Sequence, residues 1–214
     1  MGYIGKIPTP VPLTSSDITD GIISIADLAT TGTASSSTFL RGDGAFAEAG
    51  GGKLLQMITA QDNTIKSRSG AGTIDLVSLT ITPAATSSKI YLMMQTSWGY
   101  SSSANSPSAG IFPVRAISGG ATTELAQEPV PSGQNNVGVL SATENKTEGV
   151  EHIQSLSGHF VDSPSTTSAI TYTMRYHVQD AGSNTYYVGT SGQEINAVYN
   201  DRIPHIITAM EIGA

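Results

Sequence analysis

A glycine run, Gly50–Gly52, divides the sequence into two parts of different character. The part before it is rich in Ser, Thr, Gly and Pro, and its large apolar residues occur singly or in short clusters. Such a segment cannot bury enough apolar surface to offset the entropy lost on ordering. The part after it is long enough for an all-β domain of ordinary size. We therefore predict an arm over residues 1–52, ordered by other chains, and a folded head over residues 53–214.

The composition favours β structure and argues against nucleic acid as a partner. Charged residues make up 13% of the chain, well below the usual quarter, while Ser and Thr together supply roughly a quarter. Thr favours strands and Ser favours turns. The net charge is −7 and the basic residues are scattered, whereas phosphate binding needs clustered Lys and Arg. We expect an all-β protein that does not bind nucleic acid.

Two absences from the sequence exclude further classes. There is no cysteine, which removes disulfides, zinc-thiolate sites and thiol nucleophiles. No stretch approaches the roughly 18 consecutive apolar residues of a membrane span, so we expect no insertion into a membrane.

The beginning of the arm is predicted to attach the protein to a larger particle. Alternate prolines over residues 7–13 fix an extended backbone and remove amide donors. An extended peptide with exposed apolar side chains suits docking along a groove or a sheet edge. A stiff disordered leader explains the same pattern equally well. The candidate anchoring residues are Tyr3, Ile4, Ile7, Val11 and Leu13.

The rest of the arm is predicted to contain two small elements. Ser24 and Asp27 have the capping-box spacing, which predicts a short helical turn over residues 24–29. Asp43-Gly44 is a tight-turn dipeptide, which predicts a hairpin over residues 33–47. A single turn and a two-stranded hairpin are both marginal alone, so we expect three copies to meet along an axis. The candidate stalk residues are Ile18, Ile22, Ile23, Ile25, Leu28, Phe39, Leu40 and Phe46.

The head is predicted to be an antiparallel sandwich or a jelly roll of about eight to ten strands. Its strongest strand covers residues 168–178, where apolar residues alternate from Ile170 to Val178. Residues 73–82 also alternate, and residues 89–97 are apolar on both faces, as in a central strand. The further candidate strands are 54–60, 110–117, 152–161, 185–190 and 204–212.

Several motifs resemble proteins of bacteriophage appendages. Residues 36–47 read SSTFLRGDGAFA and are similar to an S-T-[YF]-L-R-G-D-G-x-[WF] module of phage tail fibres. Residues 2–6 and 17–23 resemble the N-terminal region of such proteins, particularly those of marine phages. In the head, the segments that resemble a C1q- or TNF-like trimeric jelly roll are Thr82-Pro83 with residues 87–90, residues 162–164 with Thr171-Tyr172, and residues 207–212.

The resemblance implies a non-enzymatic virion protein that forms a homotrimer and carries a distal head. The arm would bind other virion proteins of the tail or the capsid, and the head would be exposed on the particle. A trimeric capsid decoration or cement protein is the first alternative. A carbohydrate-active enzyme is the second alternative, with Glu144, Glu148, Glu151 and Asp162 as its carboxylates.

The sequence does not predict a catalytic, cofactor or metal site. His152, His159, His177 and His205 are present, but there is no Gly-x-Ser-x-Gly elbow and no His-x-x-x-His pair. The aspartates of the arm lack the spacing of a calcium loop, although a metal on a three-fold axis stays open, since each chain would then supply only one or two ligands.

Host-surface glycan is the candidate ligand of the head. Exposed aromatic rings stack on sugars while amides supply hydrogen bonds, and two long polar segments, residues 99–109 and 126–151, interrupt the strands. The alternative is that most of the rings lie in the core or in a trimer interface. The candidate contacts are Trp98, Tyr100, Asn105, Asn135 and Asn136.

Overall fold

A computed structural model describes residues 30–48, 52–100, 108–125, 140–143, 153–178, 185–191 and 202–213. The chain divides into two compact units, Met1–Gly51 and Gly52–Ala214. The predicted anchoring segment, the predicted helical turn and the cluster from Ile18 to Leu28 lie outside the described residues.

The described residues are all-β. The strands are β1 Thr38–Leu40, β2 Phe46–Glu48, β3 Leu54–Asp62, β4 Lys66–Ser69, β5 Gly72–Ile81, β6 Lys89–Tyr100, β7 Ser108–Ile117, β8 Thr122–Glu124, β9 Leu140–Thr143, β10 Gln154–Asp162, β11 Ile170–Val178, β12 Thr185–Val188 and β13 His205–Ile212. The described part of the chain contains no helix of the length and apolarity that a membrane span requires.

In the first unit, β1 and β2 form the predicted hairpin. Phe39 pairs with Ala47, and Leu40 pairs with Phe46. The loop closes because the amide of Gly44 donates to the carbonyl of Arg41 at 2.9 Å. Gly44 has a φ of +78°, a conformation that glycine adopts without strain. The turn chemistry of Asp43-Gly44 is thereby confirmed.

The second unit contains two antiparallel sheets. In the larger sheet the strands follow the order β3-β13-β6-β12-β4, and β10 pairs with the other edge of β6. Strands β13 and β12 pair with successive parts of β6. In the smaller sheet the order is β5-β11-β7-β8, and β9 pairs with β7 beyond β8. Along the chain, consecutive strands change sheet from β4 to β5, β5 to β6, β6 to β7, β9 to β10, β10 to β11 and β11 to β12.

The inner faces of both sheets contribute to one hydrophobic core, which makes the unit a β-sandwich. From Ile170 to Val178, every second residue of β11 is fully buried, as the alternation predicted. Ile90, Leu92 and Met94 of β6 are also buried. Strand β6 is central, as predicted, because it pairs along both edges.

Three strands were not predicted. β4 and β8 are short and polar, so they lack an apolar alternation. β9 lies inside residues 126–151, which the sequence had assigned to a loop, and its backbone pairs with β7. Strands β6 and β7 also extend into the segment 99–109 from its two ends. These elements are held by backbone pairing with longer neighbours, a contact that local sequence does not encode.

Candidate assembly and binding surfaces

The outer side of the larger sheet carries a surface without charged side chains. The strand register aligns twelve outward residues in three rows across β10, β6, β13 and β3. We call these twelve residues the uncharged surface, because none is Asp, Glu, Lys or Arg. They are Val161, Tyr91, Met210 and Met57 in the first row, His159, Met93, Thr208 and Thr59 in the second, and Ser157, Gln95, Ile206 and Gln61 in the third.

Large apolar side chains of this surface are exposed. Met57 is 61% exposed, Met93 is 49% exposed and Val161 is 48% exposed. Leu54 and Leu55 extend the apolar area at the beginning of β3 and are also exposed. Contiguous apolar area on a soluble protein marks a binding surface more often than isolated residues do.

A groove of about 260 Å³ runs along the same surface between β6 and β10. The rings of Tyr91 and His159 stack on one side of it, with centroids 5.7 Å apart and planes at 19°. Met93 and Ile206 supply apolar walls, and Gln95 supplies an amide. The groove can therefore receive an apolar or weakly polar group, and no charged side chain lines it.

The outer side of β5 and β11 in the smaller sheet is polar. Facing hydroxyls form a ladder in which Ser78 and Thr173 are 2.8 Å apart and Thr80 and Thr171 are 3.0 Å apart. Beyond the ladder, Arg175 binds the carboxylates of Asp75 and Glu124. This pairing raises the pKa of Arg175, through the hydrogen bond that Arg175 donates to Asp75 above all.

The hairpin of the first unit has its own exposed apolar residues. Phe39 is 62% exposed and Leu40 is 48% exposed, while Phe46 is half-buried. Thr31 forms a parallel bridge to Ala45. Of the predicted stalk residues, the structure describes three: Phe39, Leu40 and Phe46.

The glycan prediction needs correction at Trp98. Its indole is 1% exposed and stacks on Tyr186 with ring centroids 6.1 Å apart. A ring in the core cannot stack on a sugar, so the alternative interpretation as a core residue applies. Tyr100 is the last residue of β6, and its side chain is not described; Asn105, Asn135 and Asn136 also lie outside the described residues.

The described histidines occupy different environments. His159 is exposed on the uncharged surface, and His177 faces outward from β11. His205 is 1% exposed; its Nε2 donates to the carbonyl of Thr64 at 3.0 Å, and its Nδ1 accepts from the hydroxyl of Thr96 at 2.7 Å. Burial lowers the pKa of His205.

Of the four candidate catalytic carboxylates, Asp162 is the one that lies within the described residues. Its carboxylate is occupied by hydrogen bonds to other side chains. Both of its oxygens bind Arg115, at 2.8 and 3.0 Å, and the hydroxyl of Tyr172 donates to it at 2.6 Å. Burial, then this hydrogen bond, raises the pKa of Tyr172 well above its ordinary value. The cluster joins β10 to β7 and β11 across the two sheets, so it connects the sandwich. Glu144, Glu148 and Glu151 lie outside the described residues.

A second buried carboxylate, that of Glu211, is held by hydrogen bonds within the fold. Glu211 is fully buried; its oxygens accept from the amide side chain of Gln56 at 2.5 Å and from the backbone of Ala84 at 2.7 Å. Burial raises the pKa of Glu211, but hydrogen bonds outweigh that effect and leave the pKa below its ordinary value. Among the described residues, no group of three or more His, Cys, Asp or Glu is arranged to hold a metal.

Sequence reasoning missed the uncharged surface. The residues Met57, Met93 and Tyr91 were seen only as members of candidate strands. An available signal was the absence of charge over three successive outward positions of each of four strands, but it becomes visible only when the register is known.

Comparison with known proteins gives low similarity. No family model matches the sequence, and no curated protein matches it. A chain of the T13 viral particle of infectious bursal disease virus has 12% identity and a TM-score of 0.40, over 78% of this chain and 39% of that chain. A chain of the VP2 subviral particle of the same virus has 12% identity and a TM-score of 0.30, over 78% and 41%.

A carbohydrate-binding module, TmCBM61 in complex with β-1,4-galactotriose, has 10% identity and a TM-score of 0.24, over 72% of this chain and 90% of that chain. This chain spans about two-fifths of the length of the two viral chains. The proposals below therefore rest on the chain's own residues.

Proposed function

We propose that this chain is a non-enzymatic structural protein of a virion, a homotrimeric bacteriophage tail fibre or related appendage. Its arm, residues 1–52, attaches to other virion proteins, and its head is exposed on the particle surface. The support is the module over residues 36–47, which resembles phage appendages and whose turn geometry the hairpin adopts.

The hairpin is the observation that carries the proposal. It has two strands of three residues each, and a two-stranded hairpin is marginally stable in water. Phe39 and Leu40 stay largely exposed on it. Both facts are accounted for if sister chains cover these side chains along a common axis.

The connectivity of the head supports a jelly roll. The four long strands β3, β13, β6 and β10 are neighbours in one sheet, and β5, β11 and β7 are neighbours in the other. Taken in sequence order, these seven long strands alternate between the two sheets, which is the arrangement of a double-sheet jelly roll. We assign the head to that fold class as part of the proposal.

Host-surface glycan remains the proposed ligand of the head, and its candidate contacts are now Tyr100, Asn105, Asn135 and Asn136. The test is binding of the full-length protein to polysaccharide purified from the host. Polysaccharide that is retained at its original length supports a binding role, whereas shortened polysaccharide would instead support the carbohydrate-active enzyme.

The role on the particle has a direct test. The full-length chain should sediment at three times the protomer mass, and antibodies against it should label the tail in electron micrographs of intact particles. Label on the capsid would support the decoration protein instead. Deletion of residues 1–30 should leave a folded head that no longer joins particles; incorporation of the shortened protein would contradict the anchoring role of the arm.

A further inference from the structure

His205 is a buried titratable side chain that connects three parts of the larger sheet. It is the first residue of β13 and is 1% exposed. Its Nε2 lies 3.0 Å from the carbonyl of Thr64, between β3 and β4, and its Nδ1 lies 2.7 Å from the hydroxyl of Thr96 in β6. Since a carbonyl can only accept, Nε2 carries the hydrogen and Nδ1 accepts from Thr96. The contact with Thr96 therefore requires the neutral imidazole.

The surroundings give a charged imidazole little to replace this contact. A proton on Nδ1 forces the hydroxyl of Thr96 to turn its own hydrogen elsewhere. The carbonyl of Ser97 lies 3.4 Å from that hydroxyl, and it already accepts from the amide of Gly189 at 2.9 Å. The ring cannot shift toward Gly189, because a Cβ placed there would lie only 3.0 Å from the imidazole Cε1. Protonation of His205 thus weakens a packed contact.

Two charged side chains, those of Asp62 and Lys66, face His205 and act on it in opposite directions. Asp62 is opposite His205 in the register of β3 and β13, and Lys66 of β4 binds Asp62 at 3.0 Å. Hydrogen bonds from Thr64, then from Lys66, hold the pKa of Asp62 well below its ordinary value, so Asp62 stays ionised while His205 titrates. The contacts from β6 and from the end of β12 described above are uncharged. Burial therefore decides in favour of the neutral imidazole.

The chain that follows Thr64 leads into a weakly attached edge of the larger sheet. Among the described strands, β4 pairs with β12 alone, over four residues, and β12 pairs with β6 over three. For comparison, β10 pairs with β6 over nine residues. Lys66 adds one tether to the smaller sheet, since its Nζ donates to the carbonyl of Asp75 at 3.0 Å. An edge with so few attachments opens at a lower free-energy cost than the centre of the sandwich.

We propose that His205 is a pH switch for this edge: its protonation releases the connection between β3 and β4, so that β4 and β12 open while the rest of the sandwich stays folded. In the open state the imidazole takes up its proton near the ordinary pKa of 6.5, whereas burial lowers the pKa in the closed state. The closed state is therefore fully favoured above about pH 6.5 and progressively less favoured below it. The inference depends neither on the proposed homotrimer nor on the proposed glycan.

Hydrogen exchange of the full-length chain tests this switch. Exchange is followed by peptide mass spectrometry from pH 7.5 to pH 4.5, and each rate is divided by that of an unstructured peptide at the same pH. The edge is read from β4, β12 and Gly189, and β11 is the internal reference. Below about pH 6.5, the protection of the edge should fall by up to about tenfold per pH unit.

Urea separates opening of the edge from unfolding of the whole head. A local opening exposes little surface, so at urea concentrations below the unfolding transition the exchange of β4 and β12 should be independent of urea, while that of β11 increases with urea. Edge protection that does not change with pH overturns the inference. A fall in edge protection with the same urea dependence as β11 would mean that acid unfolds the whole head, and it also overturns the inference.

A variant without the titrating group identifies the residue responsible. His205→Gln keeps an amide donor for Thr64 and a carbonyl acceptor for Thr96, and we expect its edge protection to be independent of pH between 4.5 and 6.5. His177→Gln is the matched control, because burial also lowers the pKa of His177 on β11; its edge should respond as in the wild type. An unchanged acid response in His205→Gln contradicts the inference.

A measurement on the wild type needs no variant to fold. The NMR shift of the His205 Cε1–H group follows the protonation of this ring directly. In the folded chain the midpoint should lie below 6.5, and exchange of the edge should rise over the range in which the open state becomes protonated. A midpoint at or above 6.5 would mean that the closed edge does not disfavour the charged imidazole, and the proposed switch would be wrong.

Discussion

The outer sides of the two sheets have opposite surface chemistry. On the smaller sheet, Ser78 and Thr173 pair through their hydroxyls, and Arg175 binds two carboxylates. On the larger sheet, the corresponding positions carry methionine, tyrosine, isoleucine and uncharged polar residues. Both sides belong to antiparallel strands of the same sandwich, so the fold alone does not require the difference.

The difference indicates which of the two outer sides is exposed to solvent at the lower free-energy cost. Hydroxyls and ion pairs that satisfy one another cost little in contact with solvent, and they leave nothing for a partner to gain. Exposed apolar side chains gain free energy when they are covered, at about 25 cal/mol per Å². The outer side of the larger sheet therefore has more free energy to gain from being covered than the outer side of the smaller sheet.

The variant with the largest expected effect removes a connection between the two sheets. Asp162 binds Arg115 and Tyr172 between them, so Asp162→Ala leaves a largely buried guanidinium and a buried hydroxyl without their acceptor. We expect a loss of about 3 kcal/mol in the free energy of unfolding, measured by urea denaturation at a fixed protomer concentration. Met94, which is buried in the core, should then be oxidised faster by peroxide.

Tyr172→Phe is the control for this prediction. It removes one hydrogen bond to Asp162 and keeps the Arg115 pair and the ring in the core. The loss should be smaller than in Asp162→Ala, about 1–2 kcal/mol. Equal stability of Asp162→Ala and the wild type would show that the cluster does not hold the sheets together.

The strands were predictable where one face is buried and alternation is strict. In β11 every second residue is apolar and lies in the core, and in β5 the same holds from Val77 to Ile81. β4, β8 and β9 were not predictable, because short polar segments acquire strand geometry only from the neighbour that they pair with. The hairpin was predictable, because Asp43-Gly44 determines its own turn.

The candidate surface was harder to predict than the fold. Trp98 was proposed as a ligand contact because it is near a strand end, but β6 continues to Tyr100, and the inward side of this strand places Trp98 in the core. Met57 and Met93 are far apart in sequence and come onto the same outer face only through the pairing of β13 with both β3 and β6. Such a juxtaposition needs the register of three strands, which one sequence does not give.

The pH dependence of stability should have an acid limit set by buried histidines and an alkaline limit set by buried tyrosines. In the larger sheet, burial lowers the pKa of His205 below its ordinary value of 6.5, and nearby Lys66 and Asp62 act in opposite directions. The folded state therefore binds fewer protons, so this contribution is complete above about pH 6.5 and is lost as the pH falls. In the smaller sheet, burial raises the pKa of Tyr172 and Tyr176 above 10, so their contribution is lost as the pH rises beyond that value.

Two variants separate these pH limits. His205→Gln should flatten the acid side of the stability profile, and Tyr176→Phe should flatten the alkaline side, each by up to about 1.4 kcal/mol per pH unit. Urea denaturation from pH 5 to pH 11 gives both slopes. His177, whose pKa burial also lowers, supplies a remaining acid slope in His205→Gln. An acid slope that His205→Gln leaves unchanged would contradict the assignment.

The smallest expected effect tests the claim that the smaller sheet faces solvent. Arg175→Met removes both ion pairs and gives β11 an outward methionine like that of β6. We expect a loss of about 1 kcal/mol at low salt and a smaller loss at 1 M NaCl, where screening already weakens the pairs. The oligomeric state should not change, because Arg175 is outside the proposed stalk of the homotrimer. A change in the sedimentation of Arg175→Met would instead mean that the smaller sheet also takes part in the assembly, and the contrast between the two sides would no longer assign one of them to water.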